Sequence, residues 1–560
     1  MHVTATRRMT RRTLITAAAG AVAGGLVRPG GAIGALAARS PLTAAGAGAD
    51  EPVRFQHWVG TLAGSGVTVQ LGRNADLAGV QWTAPTCTTP GHAAPAGEPE
   101  MRFRRGDGSW SRWVSAGAHG HGPDASAPSD TLTGDPVWSG GTTVVQLRAA
   151  RALSGVRLWL VDVSEGRGAR LQALAFGGPF ASAAALPLAT PVLAAGAGQP
   201  PIIARHAWAA GVSPPRVAPE LGDVELAFVH HTDNPNGYTP GEVPAMLRAI
   251  YVFHRFVNGW NDIGYNFVLD LFGRIFEARA GGIDDPVVGA HAGGYNIYST
   301  GIAVLGTFSE VPVSFASRQA LERLLAWKLS LHGVTAIGRV TVRVDPEGAR
   351  YSRFPANAHV SLPHIAGHRD ADTTDCPGDA LYGELPSVRR SVGLLAGRPA
   401  KATLALLPAA AAPPAASEPS PAGSEPVAGA PSETAPASPS LTGALSFLDG
   451  TPITGAPVEI QVRKVSERGV VVLEQTLALL TTAADGGWSL PVTTTPATRE
   501  GTSLRALCPG VAGVAGAPGV PAAVSEPLFL PGGVALVPTP APAPAAAPAP
   551  TPPVAAPPAT

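Results

Sequence analysis

Three histidines and one cysteine are the residues of this chain whose types and spacing could do chemistry. His230 and His231 close the apolar run "ELAFVHHT", and His368 and Cys376 lie eight positions apart in "HIAGHRDADTTDCPG", residues 364–378. A thiol among Asp, Thr and Arg is out of keeping with a core cysteine, which usually keeps apolar company. Two imidazoles and one thiolate form a recognised three-ligand set for catalytic zinc, with the fourth position open to water. A structural site would want four protein ligands, and the other two cysteines, Cys87 and Cys508, fall in segments of different character. A cysteine–histidine hydrolase is a second reading of the same residues. It lacks the usual activation, because the thiol is followed by Pro-Gly in a loop with no helix N-terminus expected behind it.

These residues need a scaffold, and the pattern between about 198 and 395 supplies one. "ELAFVHHT" reads as a buried strand, placing the histidine pair at the end of a strand where an α/β sheet presents its ligands. "TPGEVPAMLRAIYVFHRFV" has apolar residues at helical spacing behind a threonine placed to cap them. "YNFVLDLFGRIFEARA" reads as a hairpin turning near Phe272-Gly273, "STGIAVLGTF" as a further buried strand, and "SRQALERLLAWKLSLHG" as an amphipathic helix stopped by Gly333. Mixed strands and helices over about 200 residues make one α/β domain.

The order of motifs in this segment is specific. From "IIARHAWAAGVSPPR" through "FVHHT", "GWNDIGYNF", "GRIFEARA", "GAHAGGYN" and "TGIAVLGTF" to "GHRDADTTDCPG", residues 200–392 resemble a peptidoglycan recognition protein domain. That family is homologous to the type-2 N-acetylmuramoyl-L-alanine amidases. The resemblance implies that His230, His368 and Cys376 are ligands to one Zn²⁺, and that Tyr265 and Thr374 are catalytic, donating to a developing oxyanion or orienting water. It implies a substrate groove lined by His231, Thr232, His254, Gly259, Trp260, His291 and Asn296, with Gly259-Trp260 matching the pair associated with diaminopimelate-type stem peptides. The chain departs from some type-2 amidases at Ala303, where they carry a glutamate. The function implied is zinc-dependent hydrolysis of the amide between muramic acid and the stem peptide of peptidoglycan. The alternative is recognition of peptidoglycan without cleavage.

The rest of the chain sets this domain among others. At 560 residues it is too long for one core, and 57 prolines with 67 glycines point to extensive linkers. Residues 50–180 alternate apolar and polar positions in short runs, as β-rich domains do. Six tryptophans here (Trp58, Trp82, Trp110, Trp113, Trp138 and Trp159) could line a glycan-binding face, but core packing is the commoner use of such residues. An Ala/Pro linker follows near 180–198, a Pro/Ala/Ser linker spans 400–440, a small β-sandwich-like domain 441–535, and a Pro/Ala tail 536–560. The expected architecture is therefore multidomain, with a central α/β amidase domain of mixed sheet and flanking helices between two β-sandwich-like domains on flexible linkers.

Zero formal net charge, with no basic tract beyond the N-terminus, gives no basis for nucleic-acid binding. "TRRTLI" at residues 10–15, ahead of a weakly apolar run, resembles a twin-arginine export signal spanning 1–37. No later segment is long and apolar enough to span a bilayer. The expectation is a secreted or wall-associated protein with peptidoglycan as its partner.

Overall fold

The computed structural model describes residues 53–64, 66–83, 98–118, 131–163, 198–209, 215–408, 438–465, 471–510 and 520–536. The expected export signal, the linker at 180–197, Cys87 and the tail beyond 536 lie outside them. Among the described residues no helix is long and apolar enough to cross a membrane.

Alternating residues in the first segment do form strands. β1 (Val53–Leu62), β2 (Val67–Thr83), β3 (Pro99–Phe103), β4 (Val114–Ser115), β5 (Thr131–Thr133), β6 (Val137–Ala149) and β7 (Leu153–Asp162) make one antiparallel sheet ordered β1-β7-β2-β6-β3-β4, with β5 on β2. Its own core holds Val80, Trp82, Met101, Phe103 and Leu158. The tryptophans divide: Trp82 and Trp138 are buried, whereas Trp58 is 60% exposed.

The central domain is built on β8 (Ile202–Ile203), β9 (Leu226–His231), β10 (Phe267–Leu269), β11 (Ile275–Glu277), β12 (Ser299–Val304) and β15 (Ile365–Gly367). Their order is β15-β9-β12-β10-β11-β8, a mixed sheet in which β15, β9, β12 and β10 run parallel. Every residue of β9 and β12 is buried, as suits strands covered on both faces. A separate hairpin pairs β13 (Arg339–Arg343) with β14 (His359–Pro363).

Helices cover both sides of this sheet. A single turn, α1 (His206–Ala209), precedes α2 (Val243–Val252), which runs on as a π-helical turn over Phe253–Val257. α3 (Phe315–Leu331) and α4 (Asp379–Ala396) pack Leu324, Leu325, Leu381 and Leu385 against Ala227, Val229, Ile302 and Val304 on one face. Val268, Ala303 and Leu305 meet Met246 and Ile250 of α2 on the other.

Local chemistry differs from expectation at two helix starts. Thr239 does not cap α2, which begins at Val243 behind Glu242; instead the Glu242 carboxylate accepts from the Thr239 backbone N–H and hydroxyl at 2.7 Å. A helix does start just behind Cys376, since α4 opens at Asp379. The hairpin at Phe272-Gly273 and the α3 helix, capped by Ser314, stand where the pattern put them.

The C-terminal strands are β16 (Ala400–Ala402), β17 (Ala405–Leu407), β18 (Ser440–Phe447), β19 (Pro457–Val465), β20 (Val471–Thr481), β21 (Gly487–Cys508), β22 (Ala523–Val524) and β23 (Leu528–Leu536), centred on the long β21. β16 and β17 fall in the first residues of the expected 400–440 linker, where they pair with β18.

Neither flank is a loose appendage. Leu77, Trp138, Val161 and Val163 of the first sheet share one apolar cluster with Val243, Met246, Ile250 and Phe253. Ala522, Leu507 and Val524 pack on the α3 side of the central domain. The described portions of the three units thus meet through buried apolar surface, where the expectation set the β-rich domains on flexible linkers.

Candidate metal centre

Parallel register assembles the centre. Gly367 of β15 pairs with Val229 of β9, so the next residues, His368 and His230, leave adjacent strands side by side at their carboxyl ends. Their rings lie 4.5 Å apart, centroid to centroid. The loop after His368 returns Cys376, whose Sγ is 3.7 Å from His230 Nδ1. One ligand atom from each of His230, His368 and Cys376 lies within 4.8 Å of the others, and all three residues are fully buried.

The donor set fits a metal ion. A metal-binding imidazole usually has its second nitrogen held by another group, and both do here. His368 Nε2 is 2.9 Å from Asp372 Oδ2, and His230 Nε2 is 3.2 Å from His291 Nδ1. Burial pushes the Cys376 thiol well above its ordinary pKa, although the His231 amide donates to Sγ at 3.4 Å. A thiol so placed is a poor nucleophile despite the helix that starts behind it. A cation between the two imidazoles would favour its thiolate.

Successive side chains on a strand face opposite ways, which separates the histidine pair. His230 faces Phe228, His291 and Tyr265, whereas the His231 ring accepts from the Phe308 amide at 3.3 Å. Tyr265 packs on His230 at 5.5 Å and on His254 at 5.9 Å. Burial, followed by the charge of Asp135, raises its pKa well above the usual tyrosine value, so its hydroxyl stays protonated. Thr374 Oγ1 accepts from the Cys376 amide at 3.1 Å and thereby shapes the ligand loop.

The other expected groove residues divide into two sets. Thr232, His254 and Tyr265 line one small cavity, and Trp260 packs on His254 at a tilt of 41°, with ring centroids 4.5 Å apart. Gly259 takes φ +77 at the turn before it. His291 and Asn296 are buried supports: Asn296 Oδ1 accepts from the backbone N–H groups of His291 and Ala292 at 2.8 and 3.1 Å, fixing the loop that brings His291 to His230. Sequence reasoning passed over Asp372, although it stands four residues after His368 in the quoted stretch. It also passed over Asp135, Asn234 and Gly301, whose positions carry no local signal.

With this geometry in view, a family model described as N-acetylmuramoyl-L-alanine amidase matches residues 220–379. The central domain belongs to that family. A second model, described as Rv3811 N-terminal galactose-binding domain-like, matches residues 40–175. The human N-acetylmuramoyl-L-alanine amidase is 30% identical to the chain over 214 residues, which are 36% of this chain and 31% of that protein. Peptidoglycan-recognition protein LB of Drosophila melanogaster is 29% identical over 188 residues, 33% of this chain and 68% of that one. The chain spans 31% and 27% of the human and pig amidases that it matches. Among solved structures, wild-type Drosophila PGRP-LB aligns at 25% identity and a TM-score of 0.26, over 33% of this chain and 93% of that one.

Proposed function

We propose that the amidase domain is a zinc-dependent hydrolase that cleaves the amide between muramic acid and the stem peptide of peptidoglycan. The observation that carries this reading is the buried His230–His368–Cys376 cluster, with both imidazoles held from behind. Zinc in such a set of donors supplies Lewis-acid polarisation of the carbonyl and activation of water. The chain's own residues do the rest. Asp372 and His291 fix the orientation of His368 and His230, and Thr374 sets the backbone of Cys376. The Tyr265 hydroxyl, kept protonated by burial, donates a hydrogen bond as charge grows on the scissile oxygen. His254 and Trp260 pack together as a wall for the muramyl-peptide, and Gly259-Trp260 supports a diaminopimelate-type stem.

A rival reading, recognition without cleavage, draws on Ala303, which pairs with His230 across β12 and brings no carboxylate to the centre. Export through the N-terminal twin-arginine pattern belongs to the same proposal, since it would carry the chain to its wall substrate. The test is mass spectrometry of products after incubating the full chain with diaminopimelate-type peptidoglycan, with and without a zinc chelator. Stem peptides beginning at L-alanine, formed only without chelator, are expected. Cys376→Ser should lose both bound zinc and product. Binding to the polymer with no product from the zinc-loaded chain would establish the rival.

A further inference from the structure

The face of the amidase domain that should receive a polymer is covered by another part of the same chain. Thr232, Asn234, Ile250, His254 and Tyr265 line a half-open pocket of only about 10 Å³, and Asp135 and Pro136 of the N-terminal domain line it with them. That volume suits about one water molecule, whereas a small-molecule site commonly needs on the order of 300 Å³ or more. Tyr265 is 3% exposed, and the three ligand residues are wholly buried.

The covering segment is held from both sides. Its own sheet anchors it through Gly134 N–H to Val80 O at 2.8 Å and Asp135 N–H to Gly117 O at 2.9 Å. Across the boundary, the Trp138 amide donates to Asn234 Oδ1, while Asn234 Nδ2 donates to Thr232 O at 2.9 Å. Behind these bonds, Gly79 lies flat against Phe253, where a Cβ would fall 2.2 Å from the ring.

Hydrolysis of a muramyl amide leaves a carboxylate on the lactyl group of the sugar. Asp135 brings a carboxylate of the same kind to the cavity that holds Tyr265. We infer that residues 134–138 occupy the muramyl-peptide groove as an intramolecular mimic of the product, with the Asp135 carboxylate standing where the lactyl carboxylate would lie. The identity of what is mimicked rests on the proposed amidase function; the cover itself does not. The partner of the groove in this state is the chain's own N-terminal domain, and the polymer must displace it to reach His230, His368 and Cys376.

The test uses the full chain carrying Cys87→Ser and Cys508→Ser, which leaves Cys376 as the one thiol. Two further variants open the cover: Gly79→Val, a wedge under Phe253, and Asp135→Ala with Pro136→Gly, which trims the segment without touching either core. In metal-free protein, an aromatic disulfide reagent should modify Cys376 at least about tenfold faster in both variants, as expected when a local closing equilibrium is weakened. The zinc-loaded variants without the cysteine replacements should release stem peptides faster by a similar factor. Should the wedge fail to fold, the trimmed variant decides alone. A folded trimmed variant whose Cys376 reacts at the parent rate overturns the inference. So does slower release of stem peptides, because Asp135 would then be serving the reaction. Faster modification with no stem peptides from any protein leaves the cover standing and removes the amidase function. Equal release from parent and variants removes the cover and keeps the amidase.

Discussion

At the scale of single residues, the centre separates groups that would hold a metal ion from groups that would act on substrate, and each kind makes its own prediction. Tyr265 touches the His230 ring and keeps its proton. Tyr265→Phe should therefore retain zinc while kcat on peptidoglycan falls by about 10²-fold, the usual cost of one oxyanion donor. Asp372 reaches the site only through His368 Nε2. Asp372→Ala should weaken zinc binding by roughly 10- to 100-fold in a chelator competition titration. The pair His230-His231, His368 and Cys376 stood out in the sequence because a polar-flanked thiol and strand-end histidines are unusual company, whereas the choice of His230 within the pair came from the family resemblance. The supporting role of His291 was not: nothing about "GAHAGGYN" tells whether its histidine faces a groove or another imidazole.

At the scale of elements, register does the positioning. Parallel pairing of β15 with β9 brings His368 beside His230, and pairing of β12 with β9 sets Gly301 opposite Phe228, two residues before His230. The His291 ring lies over Gly301, where an added Cβ would meet it at 2.2 Å. Gly301→Ala should displace that ring and destabilise the metal-free chain by about 1–3 kcal/mol in denaturant unfolding. Zinc affinity should fall in parallel, because His230 would lose its support. β9 and β12 were readable as short apolar runs bounded by turn residues, and α3 from its helical spacing. The start of α2 was misread because two polar residues compete there: Glu242 turns its carboxylate back to Thr239, so the threonine is the group being held and not the cap.

At the scale of the whole molecule, composition marked the Pro- and Ala-rich stretches but not how the units between them meet. Leu77, Trp138 and Val161 alternate like any strand residues, and only the fold shows that they face α2. At the C-terminal boundary, Arg505 pairs with Asp284 at 2.6 Å and Arg463 with Asp285, while Lys328 donates to the carbonyls of Ile283 and Asp285 at 2.9 and 2.8 Å. Burial pulls the Lys328 pKa down to about 8. Between about pH 8 and the ordinary lysine value near 10.4 the unfolded chain holds more protons at this position than the folded one, so stability gains with rising pH there. Lys328→Met should remove that gain, seen as a smaller rise in the denaturant midpoint from pH 8 to pH 10 than in the parent.

The apolar cluster shared by the first sheet and α2 also bears on anyone who would shorten this protein. A clone cut to the enzyme-like third of the chain would strip Leu77, Trp138, Val161 and Val163 from the apolar cluster they share with α2 and Phe253, leaving an oily patch that draws copies together or onto detergent and lipid. A poorly behaved preparation of such a fragment would then reflect where the scissors fell. Anyone grafting the central domain onto another carrier should take residues 53–163 with it.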